Sequence, residues 1–262
     1  MRTFAAAVLG LLLAGSAAGQ TVTPTSAPTP DKRFDGTYAA IARGINGGEF
    51  SYHFSQTGGS YRITAQRRLT GLFRMLAGDR QDFSYSVSGA SADRALRPAN
   101  YQHSGGSRHR IVRAAFSADD IVTTAEPRMG MGHPAATQAQ KRGAVDQLTA
   151  IARMITASPT PCMGAVPVYM DGRSRFDFVL TPAGQVNVNT AVYRGQAIRC
   201  TVQFRPIAGF SDPQEAQQLT FVFAPTPAGL FVPLTIEMPT DDVGVIRLEA
   251  RNISINGVAL RR

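Results

Sequence analysis

The chain has 262 residues, of which 44% are hydrophobic and 17% charged, a balance that excludes a chain too polar to build a sizeable core. Lys and Arg total 27 against 18 acidic residues, a formal net charge of +9 that favours anionic partners such as lipid head groups, envelope polysaccharide or acidic proteins. The arginines are scattered through strand-like segments instead of being gathered on one helix, which speaks against nucleic acid and for a largely solvated basic surface.

Residues 1–19 read as a secretory signal peptide. Arg2 is followed by an apolar run from Phe4 to Leu13 and then by the small residues Ala14-Gly15-Ser16-Ala17-Ala18-Gly19. The run is about half of the ~20 residues a membrane span needs. No cysteine lies near the cleavage zone, so no lipid anchor is expected. The expectation is export to the periplasm without a membrane span. Residues 20–33, rich in Thr, Pro and Ser, lack the apolar side chains to offset their chain entropy and read as a flexible linker. Residues 34–262 are expected to form a single β-rich domain.

Period-two patterning dominates from Phe34 onward. Phe50, Tyr52 and Phe54 alternate with Ser51, His53 and Ser55, the pattern of a half-buried strand, and Gly-Gly pairs at 47–48 and 58–59 suit hairpin turns. The sharpest hairpin is Val166 to Met170, Asp171-Gly172, then Arg173 to Leu180. Asp-Gly supplies the two positive φ values of a type I′ turn. Pro167 places the first of these strands at an edge or near its start. Gly143 to Ala157 breaks the pattern, with Val145, Leu148, Ile151, Ala152 and Ile155 at helical spacing and Ser158-Pro159 as the stop. One amphipathic helix among about a dozen strands predicts a mainly β fold, an antiparallel barrel-like or strongly curved sheet with one covering α-helix.

Cys162 and Cys200 are the only cysteines. In an oxidising compartment an isolated pair forms one disulfide, and this spacing excludes Cys-x-x-Cys redox chemistry.

Catalytic motifs are missing. Gly89-Ala-Ser91-Ala-Asp93 lacks the second glycine and the helix of a nucleophile elbow. The acidic pairs Asp119-Asp120 and Asp241-Asp242 sit at turn positions, where turn formation accounts for them. None of the four histidines has zinc-site spacing, and no glycine-rich phosphate loop opens a helix, so no cofactor is expected. The one metal candidate is weak: Met129, Met131 and His133 would share one side of an extended segment and offer soft ligands to Cu(I). The basic candidates are Arg108 with Arg110, and Arg173 with Arg175. Each pair is two apart and so projects from one face of a strand, and two such ladders meeting in a concavity could clamp a phosphate or carboxylate.

Several of these patterns recur together. The opening Tyr38…Gly44 strand, Leu69-Thr-Gly71-Leu72-Phe73, Leu96-Arg97-Pro98-x-x-Tyr101, the helix around Asp146-x-Leu148, the Asp171-Gly172-Arg173-x-Arg175-Phe176 hairpin, Cys200 and Phe231-Val232-Pro233-Leu234 are its parts. In this combination the chain resembles an uncharacterised family of exported Gram-negative proteins, domain of unknown function 3108. The resemblance implies a periplasmic β-rich fold and carries no activity, cofactor or catalytic residue. The expected role is non-catalytic: binding a lipid-like or anionic envelope ligand, or serving as a scaffold for an envelope protein. The alternative is an envelope-directed hydrolase whose site is dispersed in sequence.

Overall fold

A computed structural model describes residues 31–260, apart from 72–73, 76–81, 93–94 and 241–243. The leader, most of the linker, Leu72, Phe73, Asp93 and Asp241-Asp242 therefore lie outside the described residues.

Alternating side chains give strands, but not every turn falls where expected. In order come β1 (Lys32–Ala42), β2 (Ile45–Thr57), β3 (Ser60–Leu69), β4 (Phe83–Ala92), β5 (Ala95–Gly105), β6 (Arg110–Phe116) and β7 (Ile121–Glu126), an antiparallel meander. Gly58-Gly59 joins β2 to β3, whereas Gly47-Gly48 lies inside β2 because Arg43-Gly44, both at positive φ, make the first turn. In β2, Tyr52 and Phe54 are buried while His53 and Ser55 are exposed. Two helices follow, α1 (Gln138–Lys141) and α2 (Gln147–Ile155). The second meander is β8 (Gly164–Met170), β9 (Ser174–Asn189), β10 (Arg194–Ala208), β11 (Gln217–Pro225), β12 (Phe231–Thr240) and β13 (Gly244–Ile255), with β14 (Val258–Ala259) paired to β13. It runs back so that β13 pairs with β1, and all strands belong to one sheet ordered β7-β6-β5-β4-β3-β2-β1-β13-β12-β11-β10-β9-β8.

Prolines shape this sheet. Pro98, Pro182, Pro206 and Pro233 each sit beside a register shift, where a bulge removes the ladder hydrogen bond that proline cannot donate and bends the strand. The expected edge residue Pro167 lies on β8, an edge strand.

The sheet curves but is not closed into a barrel, because β7 and β8 do not pair. The chain between them stands in the gap. Val145 forms a parallel bridge with Val168 on β8, through Val145 N–H to Pro167 O (2.9 Å) and Tyr169 N–H to Val145 O (2.8 Å). On the other side, Lys141 Nζ donates to Ile121 O on β7 at 3.1 Å. This bridge also explains why the helix starts at Gln147 and not at Gly143: Val145 is used as an edge partner of β8, packed with Ala150, Val168 and Phe176.

Helix α2 fills the concavity. Leu148, Ala152 and Ile155 join one apolar cluster with Phe34, Tyr52 and Ile63 from the first meander and Val232 and Leu234 from the second. Buried tyrosines anchor it: Tyr52 Oη donates to Leu148 O (2.8 Å), and Tyr61 Oη pairs with Thr149 Oγ1 (2.8 Å). Its N-cap, Asp146, is fully buried and accepts from Leu148 N–H (2.9 Å), Thr149 N–H (3.0 Å) and Thr149 Oγ1–H (2.6 Å). These bonds satisfy amides that the first helical turn leaves without partners. No described helix is long and apolar enough to cross a membrane.

Cys162 and Cys200 form the expected disulfide, with Cα atoms 5.2 Å apart. It ties the exit of α2 to β10 inside a second apolar cluster with Met154, Leu180, Val202 and Phe221.

Candidate functional site

The type I′ turn joining β8 to β9 forms as the sequence predicts. Asp171 and Gly172 have φ values of 52° and 71°, and Arg173 N–H closes the turn on Met170 O at 3.0 Å. The turn lies against the far end of the sheet: a Cβ on Gly172 would stand 2.7 Å from Thr123 Cγ2 and 2.8 Å from Val112 Cγ1. Only glycine lets the tip of β8–β9 approach β6 and β7 this closely.

That approach creates a cavity of about 330 Å³ between the β5–β6 turn and the β8–β9 turn. Arg108, Arg110 and Arg173 line it, with Ser107, Ser174, His103 and Asp171, and with Phe83, Val112, Met129 and Met170 as apolar wall. Two arginine sets some sixty residues apart in sequence thus meet around one opening. Arg110 is fixed by Nε to Pro127 O (2.9 Å) and Nη2 to Arg128 O (3.3 Å). Arg173 donates Nη1 to Gly130 O at 3.4 Å. Arg108 is exposed and has no hydrogen-bond partner among the described residues. Arg67 adds charge beside them, its Cζ 4.4 Å from the centre of the Phe83 ring.

Arg175 does not join this set. It is buried, and α1 covers its face of the hairpin: Nε donates to Gln140 O (2.6 Å), while Nη1 reaches Phe176 O and Asp177 Oδ1 (2.6 Å). Arg173 lies in the turn and not on the strand, so the two guanidinium groups do not form a ladder. Phe176, of opposite parity, is buried in the core as expected.

The floor of the cavity is a polar network that no sequence motif announces. Tyr101 and His103, both inward-facing on β5, meet Asp171 from the turn and Gln147 from α2. Tyr101 Oη donates to Asp171 Oδ1 at 2.9 Å. Gln147 Nε2 donates to Tyr101 Oη and to Asp171 Oδ1, both at 2.8 Å. The carboxylate only accepts, so the single phenolic proton belongs to that bond. The Tyr101 oxygen therefore accepts from His103 Nδ1 at 3.0 Å, which assigns the Nδ1–H tautomer and leaves Nε2 as the unprotonated ring nitrogen. Burial holds His103 below the ordinary imidazole pKa; nearby Asp171 opposes this, and Arg110 and Arg67 reinforce it. Burial also raises the Tyr101 phenol far above its usual range. The signal available in the sequence is a histidine at an inward position, two residues from a buried tyrosine.

Residues 33–251, which include every residue that lines the cavity, match the family described as Protein of unknown function (DUF3108). The chain belongs to the DUF3108 family. No curated protein and no solved structure matches this DUF3108 chain.

The remaining candidates lie apart. Met129 joins the cavity wall, whereas His133 is exposed and its backbone N–H bonds Phe210 O at 2.9 Å. The stretch 127–131 is not a strand, so the alternation that would align Met129, Met131 and His133 does not apply. No group of three or more His, Cys, Asp or Glu side chains suited to a metal ion occurs among the described residues. Asp119-Asp120 makes the β6–β7 turn, with Asp120 N–H to Ser117 Oγ at 3.0 Å.

Proposed function

We propose that this DUF3108 protein is an exported, non-catalytic binding protein of the cell envelope, and that its ligand is anionic and seats in the cavity between the β5–β6 and β8–β9 turns. The convergence of Arg108, Arg110 and Arg173 on one opening carries the reading. Three guanidinium groups face a single carboxylate, Asp171, whose Oδ1 already accepts two hydrogen bonds. Charge-assisted bonds from arginine are among the strongest a site can offer to an anion. Because α2 occupies the concavity, a ligand binds at this seam and not inside the curved sheet. The export signal and the basic surface support an envelope setting. A hydrolase has less behind it: Ser174 Oγ is turned to Gly209 O (3.2 Å), and the hydrogen-bond partner of His103 is a phenol held to a carboxylate.

The test is thermal unfolding of the full chain against a panel of small anions at fixed ionic strength: a dicarboxylate, a uronate, a sulfate ester and a phosphate ester. Saturation to 100 times Kd stabilises by about 2.7 kcal/mol, a shift of roughly 5–10 °C for a domain of this size. The shift is expected to vanish in Arg108→Ala/Arg173→Ala and to persist in Arg62→Ala, an exposed arginine elsewhere on the sheet. If no anion moves the wild-type midpoint, the reading is wrong.

A further inference from the structure

We propose that the ligand of this cavity is a phosphate monoester whose organic group packs on the apolar wall. The inference rests on the anion-binding reading above and narrows it by hydrogen-bond chemistry.

The arginines supply only donors. His103 differs from them. With Nδ1–H given to Tyr101, its Nε2 is an acceptor in the lining of the cavity, and no described residue fills it. A sulfate ester or carboxylate carries no proton near neutrality, so its oxygens would oppose that lone pair. A phosphate monoester has its second pKa near 6 and can carry one proton. Its O–H donates to Nε2 while its remaining oxygens accept from Arg108, Arg110 and Arg173. One proton is shared between imidazole and phosphate, and no other proton needs to be taken up.

Size and wall set the rest of the ligand. A volume of about 330 Å³ is at the small end for ligand sites and holds a head group, not an acyl chain. Phe83, Val112, Met129 and Met170 offer contact to the carbon skeleton beside the phosphate. The groups facing His103 are Tyr101, Asp171, Arg110, Arg67 and the ring of Tyr85. Tyr101 and Arg110 already donate elsewhere, to Asp171 and to the carbonyls of Pro127 and Arg128.

The experiment is calorimetric titration of the full chain at pH 6.0 with phenyl phosphate, phenyl sulfate and inorganic phosphate. Phenyl phosphate is expected to bind at least ten-fold tighter than phenyl sulfate, and about ten-fold tighter than inorganic phosphate, as burial of some 50–60 Å² of apolar surface gives. His103→Phe, which keeps an aromatic ring among Phe83 and Tyr85, should bring the phosphate and sulfate esters to within three-fold of each other. A second readout needs no variant: acidification that adds a proton to His103, whose pKa burial holds below the ordinary imidazole value, should strengthen phenyl sulfate several-fold, while phenyl phosphate changes by less than three-fold. Equal affinity for the two esters in the wild type, or a preference that survives in His103→Phe, overturns the proposal while leaving anion binding intact. Absence of binding by every ester overturns the proposal, and only if the carboxylates of the thermal panel also fail does the anion-binding reading fall with it. Vesicles separate the sources: capture by phosphatidic acid in phosphatidylcholine, displaced by phenyl phosphate and absent with phosphatidylcholine alone, assigns a lipid head group. Binding of the free ester without vesicle capture assigns a soluble one.

Discussion

Asp146 offers a severe test of how the interior is held. Asp146→Ala removes the acceptor of two backbone amides and one hydroxyl at a site with no solvent exposure. An N-cap deletion alone costs about 1 kcal/mol, and a second buried amide left without a partner adds about 1–3 kcal/mol. The expected loss is thus about 2–4 kcal/mol. Asp146→Asn keeps one carbonyl oxygen for the amides, and the Thr149 hydroxyl can turn to Tyr61, so its cost should stay below about 1 kcal/mol. The variants also differ in pH response. Burial raises the Asp146 pKa above its usual 3.8, against the pull of its hydrogen bonds to Thr149 and Leu148. The folded state then holds this proton to a higher pH than the unfolded state does. This group's contribution is therefore fully present below pH 3.8 and is lost as pH rises through the folded value. A carboxamide at this position cannot ionise, so the wild type should lose stability relative to Asp146→Asn as pH rises across that window. Urea unfolding followed by tyrosine fluorescence measures all three proteins, since the chain has seven Tyr and no Trp. A loss under 0.5 kcal/mol in Asp146→Ala would refute the view that this carboxylate organises α2.

Two further outcomes check the frame around the site. At Gly209 (φ 81°) a Cβ would lie 1.9 Å from Arg173 O, so Gly209→Ala should cost about 3 kcal/mol or more and weaken anion binding, because Arg173 must shift. Chemical denaturation and the titration above read both effects. Cys162→Ser/Cys200→Ser opens a loop of 38 residues and should lower stability by up to about 4 kcal/mol, with the reduced wild type matching the variant in urea melts.

Much of the architecture can be read from residue order, because alternation and turn chemistry are local. Asp171-Gly172 predicts its own turn, since few other pairs accept two positive φ values. The short helix α1 escapes such a reading although Thr137 and Gln140 form a capping box, each side chain bonded to the other's backbone N–H. Four residues are too few to show a helical period. Arg175 departs from expectation for a different reason. Parity tells which face of a strand a side chain takes, but not that α1 will cover that face. Barrel closure depends on the same segment, as a count of strands does not reveal that residues near Val145 stand between the edges. The arginines themselves are legible, and their meeting is not. It depends on the β8–β9 tip reaching across to β6, which no local pattern encodes.

The place of β1 has a consequence for biosynthesis. This strand is made first yet lies mid-sheet, and its second neighbour, β13, begins only at Gly244. At ordinary elongation rates the ribosome needs roughly 10–40 s to span the intervening two hundred residues. Until β13 docks, Phe34 and Tyr38 belong to a strand with one row of amides unanswered, a template for mispairing with another chain. Premature termination before Gly244 would therefore not trim the border of the sheet. It would split the molecule into two meanders with no strand to join them.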